Sequence, residues 1–248
     1  MLDRGQVADL AKGGDMSGLQ MLYDKGQFDE CLQHAQRQSQ EVLSSYLNQY
    51  TNKLLHNQEY LRAGQYCVKY GCPPTNELLP VYKTLAIEFL GGTSVKEFNV
   101  LGELLLKLTN SLALSHGENH AVYQEFYQYL FITHLLLIKE ECRNNPSLHR
   151  IYTKQCISLL RYTRLVRVDK AFLDAAEACK KEGINNMAFV LYNRYLDLAE
   201  AIEDENATID NALFEETDIP SPYEIPLPEK NLTTEDQRED MRDWVLQL

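Results

Sequence analysis

The amino-acid sequence predicts an all-α protein built of stacked helical hairpins. Three observations carry that expectation. Apolar residues recur with a helical period almost everywhere, with no sustained period-two alternation and no Asn-Gly or Asp-Gly turn between apolar runs. Glycine and proline breakers fall at regular intervals: Gly13-Gly14, Gly26, Gly71 to Pro74, Gly91-Gly92, Gly117, Pro146 and Gly183. Each interval holds one or two helices. A local pattern also returns: Gly26, Phe28, Cys31, Ala35 and Gly183, Asn185, Ala188, Tyr192 share the offsets 0, 2, 5 and 9.

Those offsets resemble the second half of the tetratricopeptide pattern, where a glycine ends one helix and a small residue lets the next pack closely. The expectation for residues 1–202 is therefore a tetratricopeptide-like solenoid, a right-handed superhelix, in which each hairpin buries its face on its neighbour. A generic helical bundle is the alternative. The first residues have neither a basic n-region nor an apolar h-region, so they do not read as a secretory signal. The longest apolar run, Tyr129 to Ile138, is far short of the ~20 residues a membrane span needs. It reads as a buried helix with His134 as a core histidine. Tyr123, Phe126, Tyr127, Tyr129 and Phe131 make this region aromatic-dense, either as core or as anchors for a partner.

The segment His149 to Val168 reads as one amphipathic helix. At 100° per residue, Arg150, Lys154, Arg161 and Arg164 share one side, with Tyr152, Cys156, Leu159 and Val166 opposite. The basic side is either merely solvated or a dock for an acidic segment, from this chain's own tail or from a partner. No aromatic residues interleave there for base stacking.

Residues 203–232 form an acidic and then proline-rich linker. The acidic run 203–218 is expected to be a mobile loop. Four prolines between Pro220 and Pro228 favour an extended path. Ile219, Tyr223, Ile225 and Leu227 could then face one way into a groove. Residues 233–248 read as a terminal amphipathic helix. Thr234 and Gln237 match a capping box, and Met241, Trp244, Val245 and Leu248 form its stripe. Ile225, Leu227 and Trp244 are the candidate docking residues of the tail. The stripe ends at the last residue, which suggests a further domain.

Charge sharpens this division. Of the 248 residues 44% are apolar and 24% charged, with a net charge of -12. Residues 1–199 hold 21 acidic and 21 basic side chains, while 200–248 hold 15 acidic and 3 basic, so the tail carries the whole imbalance. That sign argues against a nucleic-acid partner. The six cysteines form no C-x-x-C pair and have no histidine at zinc spacing, so they read as reduced core residues and not as a metal site. No G-x-S-x-G, phosphate-binding loop, H-E-x-x-H or dinucleotide fingerprint is present, so neither a catalytic site, a cofactor nor a small-molecule substrate is expected.

Several stretches resemble the C-terminal region of the intraflagellar transport protein 172 family. They are Ser158-Leu-Leu-Arg-Tyr-Thr, Val168-Asp-Lys-Ala-Phe172, Asn186-Met-Ala-Phe189 and Asn193-Arg-Tyr-Leu-Asp-Leu198. In the tail they are Asp218-Ile-Pro220, Glu224-Ile-Pro-Leu-Pro228 and Arg242-Asp-Trp-Val-Leu246. The match is close over 155–248. Earlier residues share only the helical-repeat pattern. The resemblance implies a non-enzymatic scaffold from a peripheral subunit of intraflagellar transport complex B, near the end of its solenoid and before a small C-terminal domain. It implies other transport subunits of complex B, and of complex A, as partners, and the cilium or flagellum and its base as the location. A coat-type vesicle-trafficking scaffold and an enzyme on a helical-repeat fold are the other classes.

Overall fold

The computed structural model describes residues 16–248, whose regular structure is all helical, with no strand among them. The Gly13-Gly14 break and the leading segment lie outside the described residues. The eleven α-helices are α1 Met16–Asp24, α2 Phe28–Gln38, α3 Gln40–His56, α4 Tyr60–Lys69, α5 Leu79–Leu90 and α6 Val95–Ser115, then α7 Ala121–Cys142, α8 His149–Leu159, α9 Val168–Lys181, α10 Asn185–Glu203 and α11 Glu235–Leu246. The chain forms an all-α array of helical hairpins, in which α1 packs on α2, α2 on α3, α3 on α4, α8 on α9, α9 on α10 and α10 on α11.

The chain divides into two compact units. One holds the described residues up to Glu88 together with Asn99–Leu130, and the other holds Phe89–Phe98 and Phe131–Leu248.

The repeated hairpin turn has one geometry. At Gly26, φ is 76° and the next amide, Gln27, reaches back five residues to the Leu22 carbonyl at 3.0 Å. At Gly183, φ is 75° and Ile184 reaches Cys179 at 2.9 Å. In both, the glycine amide itself bonds the carbonyl three residues back, giving the two-bond closure of a left-handed helix end. The new helix starts two residues after the glycine, and Cys31, Ala35 and Ala188 are fully buried where it crosses its neighbour.

A third copy of this turn has no glycine. Gln58 adopts φ 60°, its amide bonds Leu55 at 3.0 Å, and Glu59 bonds Leu54 at 2.8 Å. Tyr60, Ala63 and Cys67 then occupy the same offsets, with Ala63 and Cys67 fully buried. The residues just before the three restarting helices agree closely, at φ -85, ψ 63 for Gln27, φ -88, ψ 57 for Glu59 and φ -84, ψ 68 for Ile184. Gly71 ends α4 with the same two bonds, but Cys72 is also left-handed (φ 50°) and Pro73-Pro74 follow, so no helix restarts there.

Each unit fills its core differently. In the first, aromatic rings link successive helices: Phe28 stacks on Tyr50 at 4.1 Å, and Tyr50 meets Tyr66 edge-on at 4.9 Å. In the second, a charge cluster is buried. Lys139 of α7 bonds Asp174 of α9 at 2.6 Å, and Lys170 lies 3.0 Å from the same carboxylate. Burial pushes the Asp174 carboxyl up, but Lys139 and Lys170 outweigh it and hold it below its ordinary range.

Two sequence expectations are corrected. His134 is exposed, because α7 is apolar nearly all round and its period does not reveal which side faces water; Ile132, Thr133 and Leu136 point inward instead. The amphipathic helix from His149 is not continuous to Val168. It ends at Leu159, tightens into a 3₁₀ turn over Leu160–Tyr162, and α9 restarts at Val168. Leu160, Thr163 and Val166 are buried through this bend, and Thr163 donates its hydroxyl to the Leu160 carbonyl at 3.3 Å.

Candidate functional site

The four basic candidates are all exposed, but the bend separates them. Arg150 and Lys154 lie on α8, Arg161 in the 3₁₀ turn and Arg164 in the turn that follows. Tyr152, Cys156, Leu159 and Val166 are buried on the opposite side. Arg161 and Arg164 face the chain's own tail: Arg161 Nε is 2.8 Å from Asp218, and Arg164 donates to Glu224 at 2.6 Å. Arg150 and Lys154 have no ion pair among the described residues.

These two pairs sit at the surface and contribute little, at most about 1 kcal/mol each. Other contacts seat the tail on α9 and α10. Phe214 is buried, meets Phe172 edge-on at 6.0 Å and lies 4.1 Å from the Arg194 guanidinium. Arg194 also donates to Asn211 at 2.8 Å. The Tyr223 hydroxyl accepts from the Ile209 amide at 3.2 Å and donates to the Ile209 carbonyl at 3.0 Å, which cross-links the acidic and proline-rich parts. Arg167 donates to the Lys230 carbonyl at 2.8 Å, and Asn231 donates to the Ala199 carbonyl at 3.2 Å. Tyr195 and Thr233 share a hydrogen bond of 2.6 Å.

The run 203–218, expected as a mobile loop, is thus anchored at Ile209, Asn211 and Phe214, while Ala212 and Leu213 are turned out. The proline stretch also departs from expectation. Pro222 opens a 3₁₀ turn over Pro222–Glu224, which breaks the extended register. Pro220, Pro222 and Ile225 are buried and Ile219 is half-buried, whereas Tyr223 and Leu227 face outward. Leu227, 38% exposed, is partly covered and lines an open cleft with Arg164, Val166 and Arg167.

The terminal helix has the expected capping box, with the Thr234 hydroxyl accepting from the Gln237 amide at 3.3 Å and the Gln237 side chain accepting from the Thr234 amide at 2.9 Å. Trp244 is half-buried, 5.3 Å from Tyr192. Arg238, which is 5% exposed, pins α11 to α10 through Glu203 at 2.9 Å. Sequence reasoning missed Arg194, Arg167, Arg238 and Asn231. An arginine within the apolar stripe of a helix is the signal for Arg194 and Arg238, whereas Arg167 and Asn231 lie between helices and carry none.

No other chemistry gathers here. Among the described residues, no three His, Cys, Asp or Glu side chains are placed to hold a metal ion, and no helix is long and apolar enough to cross a membrane. All six cysteines are buried free thiols. Burial pushes Cys31 and Cys156 up to about 11 and Cys72 to about 12, which disfavours the reactive thiolate.

No protein-family model matches the chain. Among curated proteins it is similar to the "Intraflagellar transport protein 172 homolog" of Rattus norvegicus, 33% identical over 251 residues, and to that of Homo sapiens, 32% identical over 251 residues. It is 28% identical over 260 residues to "Intraflagellar transport protein 172" of Chlamydomonas reinhardtii. The first two alignments cover 98% of this chain and the third 100%, so the likeness reaches well beyond residues 155–248. The chain spans only 14% of the length of the rat and human relatives. Over the stretch it represents, the chain belongs to the intraflagellar transport protein 172 family.

Proposed function

We propose that this chain is a non-catalytic protein-binding module of intraflagellar transport. It acts at the cilium or flagellum and its base, within a peripheral subunit of complex B that also contacts complex A. The observation that carries this reading is the alignment of nearly the whole chain with relatives named for intraflagellar transport. The arrangement of the basic side chains supports it. The tail takes Arg161 and Arg164, and Arg150 and Lys154 stay open beside the half-exposed Ile151, a setting suited to an acidic segment of a partner. Residues 203–232 act as a strap and 233–248 as a docked terminal helix.

The test is association of the purified chain with reconstituted complex B, at low and high salt. The double charge reversal Arg150→Glu/Lys154→Glu is expected to weaken binding about tenfold and flatten its salt dependence. Unchanged affinity and salt slope would remove the basic face from the interface. Selective association with vesicle-coat subunits would overturn the transport reading itself.

A further inference from the structure

A second surface of the same unit has the opposite sign. Leu173, Glu177 and Lys180 on α9 lie one and two turns apart and share a stripe. With Tyr192 of α10 and Met241 and Trp244 of α11 they wall an open cleft of about 440 Å³. Its lining mixes apolar Leu173 and Met241 and aromatic Tyr192 and Trp244 with two carboxylates, Glu177 and Asp240. Neither carboxylate has an ion-pair partner among the described residues.

We infer that this cleft receives a cationic side chain, arginine foremost, from an apolar-flanked segment of a partner protein. The aromatic wall already holds a cation: the Lys180 ammonium lies 4.9 Å from the centre of the Trp244 ring. The lining carries two carboxylates, Glu177 and Asp240, and one cation, Lys180. A guanidinium fits better than an ammonium. Its plane stacks on an indole or phenol, and its fork reaches a carboxylate beside the ring. Burial, and next the charge of Asp174, push the Glu177 carboxyl up despite Lys170, Arg143 and Lys180 nearby. Burial and then Glu177 push the Tyr192 hydroxyl up to about 12. Outside the cleft, Asp236 and Asp243 extend the negative face of α11. The site is distinct from the basic face and does not depend on what that face binds.

Trp244 is the only tryptophan in the 248 residues, so its fluorescence reports on this cleft alone. The experiment titrates the full chain with acetyl-Leu-Arg-Leu-amide, and in parallel with the citrulline and glutamate versions of that peptide. A saturable change is expected with the arginine peptide only. Glu177→Gln/Asp240→Asn is expected to weaken it about tenfold. Lys180→Gln removes the competing cation and is expected to tighten it severalfold; Lys180 is exposed, so this variant keeps its fold. Equal binding of the citrulline peptide, preference for the glutamate peptide, an unchanged double variant, or no saturable signal would each overturn the assignment.

Discussion

The turn at Gln58 in one unit and the turn at Gly183 in the other follow the same backbone path with different residues. Both close with amides reaching back three and five residues, and both restart a helix two residues on. What they share downstream is a fully buried alanine five residues later, Ala63 in one and Ala188 in the other. The close helix crossing, not the glycine, is therefore the constant of this hairpin. Glycine only lowers the backbone cost of turning into it. The units part company beneath the turn. Among the described residues, every ion pair of the first unit lies at the surface, whereas the second buries Lys139 and Asp174 together.

The largest expected effect breaks the comparison on that buried pair. Asp174→Ala leaves the Lys139 ammonium buried without its carboxylate, and is expected to cost about 3–5 kcal/mol. Nothing in the first unit has a comparable dependence. The pH profile carries the same signature. The carboxyl of Asp174 is held low in the folded state, so its stabilisation is present above the unfolded value of about 3.9 and is lost as pH falls through the lower folded value. Thermal unfolding followed by the helical circular dichroism signal should show a midpoint that falls below about pH 4. Asp174→Asn should flatten that fall. An identical acid limb in the variant would assign it to other carboxylates.

How much of this was legible follows from where the signal lay. Gly26 and Gly183 stood out because a left-handed residue is most often glycine, and Cys31 and Ala188 marked the crossings. The Gln58 copy escaped because it lacks that glycine, although Ala63 and Cys67 stood at the right offsets. Leu160 to Val166 kept an apolar period through a bend with no glycine or proline, so nothing local announced the break; burial of Leu160, Thr163 and Val166 decides it. The basic side chains were legible as a surface, but their division was not. Asp218 and Glu224 reach Arg161 and Arg164 from 57 and 60 residues away, a pairing fixed by the seat of Phe214 and Ile225. Trp244 was legible as an anchor, while its partners Tyr192 and Lys180 come from other helices.

The next effect tests the glycine half of the comparison. A Cβ added at Gly26 or Gly183 would meet nothing within 4 Å, so Gly26→Ala and Gly183→Ala isolate the backbone. Each should cost about 1 kcal/mol or less, the left-handed penalty of about 1–2 kcal/mol for a residue with a side chain, offset in part by the lower entropy of the unfolded chain. Urea unfolding should show this as a lower midpoint with an unchanged slope. A much larger loss at either site would mean that the turn itself shifts.

The smallest effect has the opposite sign and sits at Gln58. Its side chain is exposed and its φ is 60°, so the native state carries a left-handed penalty of about 1–2 kcal/mol. Gln58→Gly removes that penalty. It also frees the unfolded chain, which opposes the gain by about 0.5–1 kcal/mol. The balance is a stabilisation of about 0.5 kcal/mol, read as a higher urea midpoint. Gln58→Asn should fall between the two, because asparagine tolerates the left-handed region better than glutamine without the full entropic cost of glycine. The ordering glycine, asparagine, glutamine at position 58 would make this turn the energetic twin of those at Gly26 and Gly183. If Gln58→Gly instead lowers the midpoint, the glutamine side chain itself stabilises the turn, and the likeness between the turns is one of shape alone.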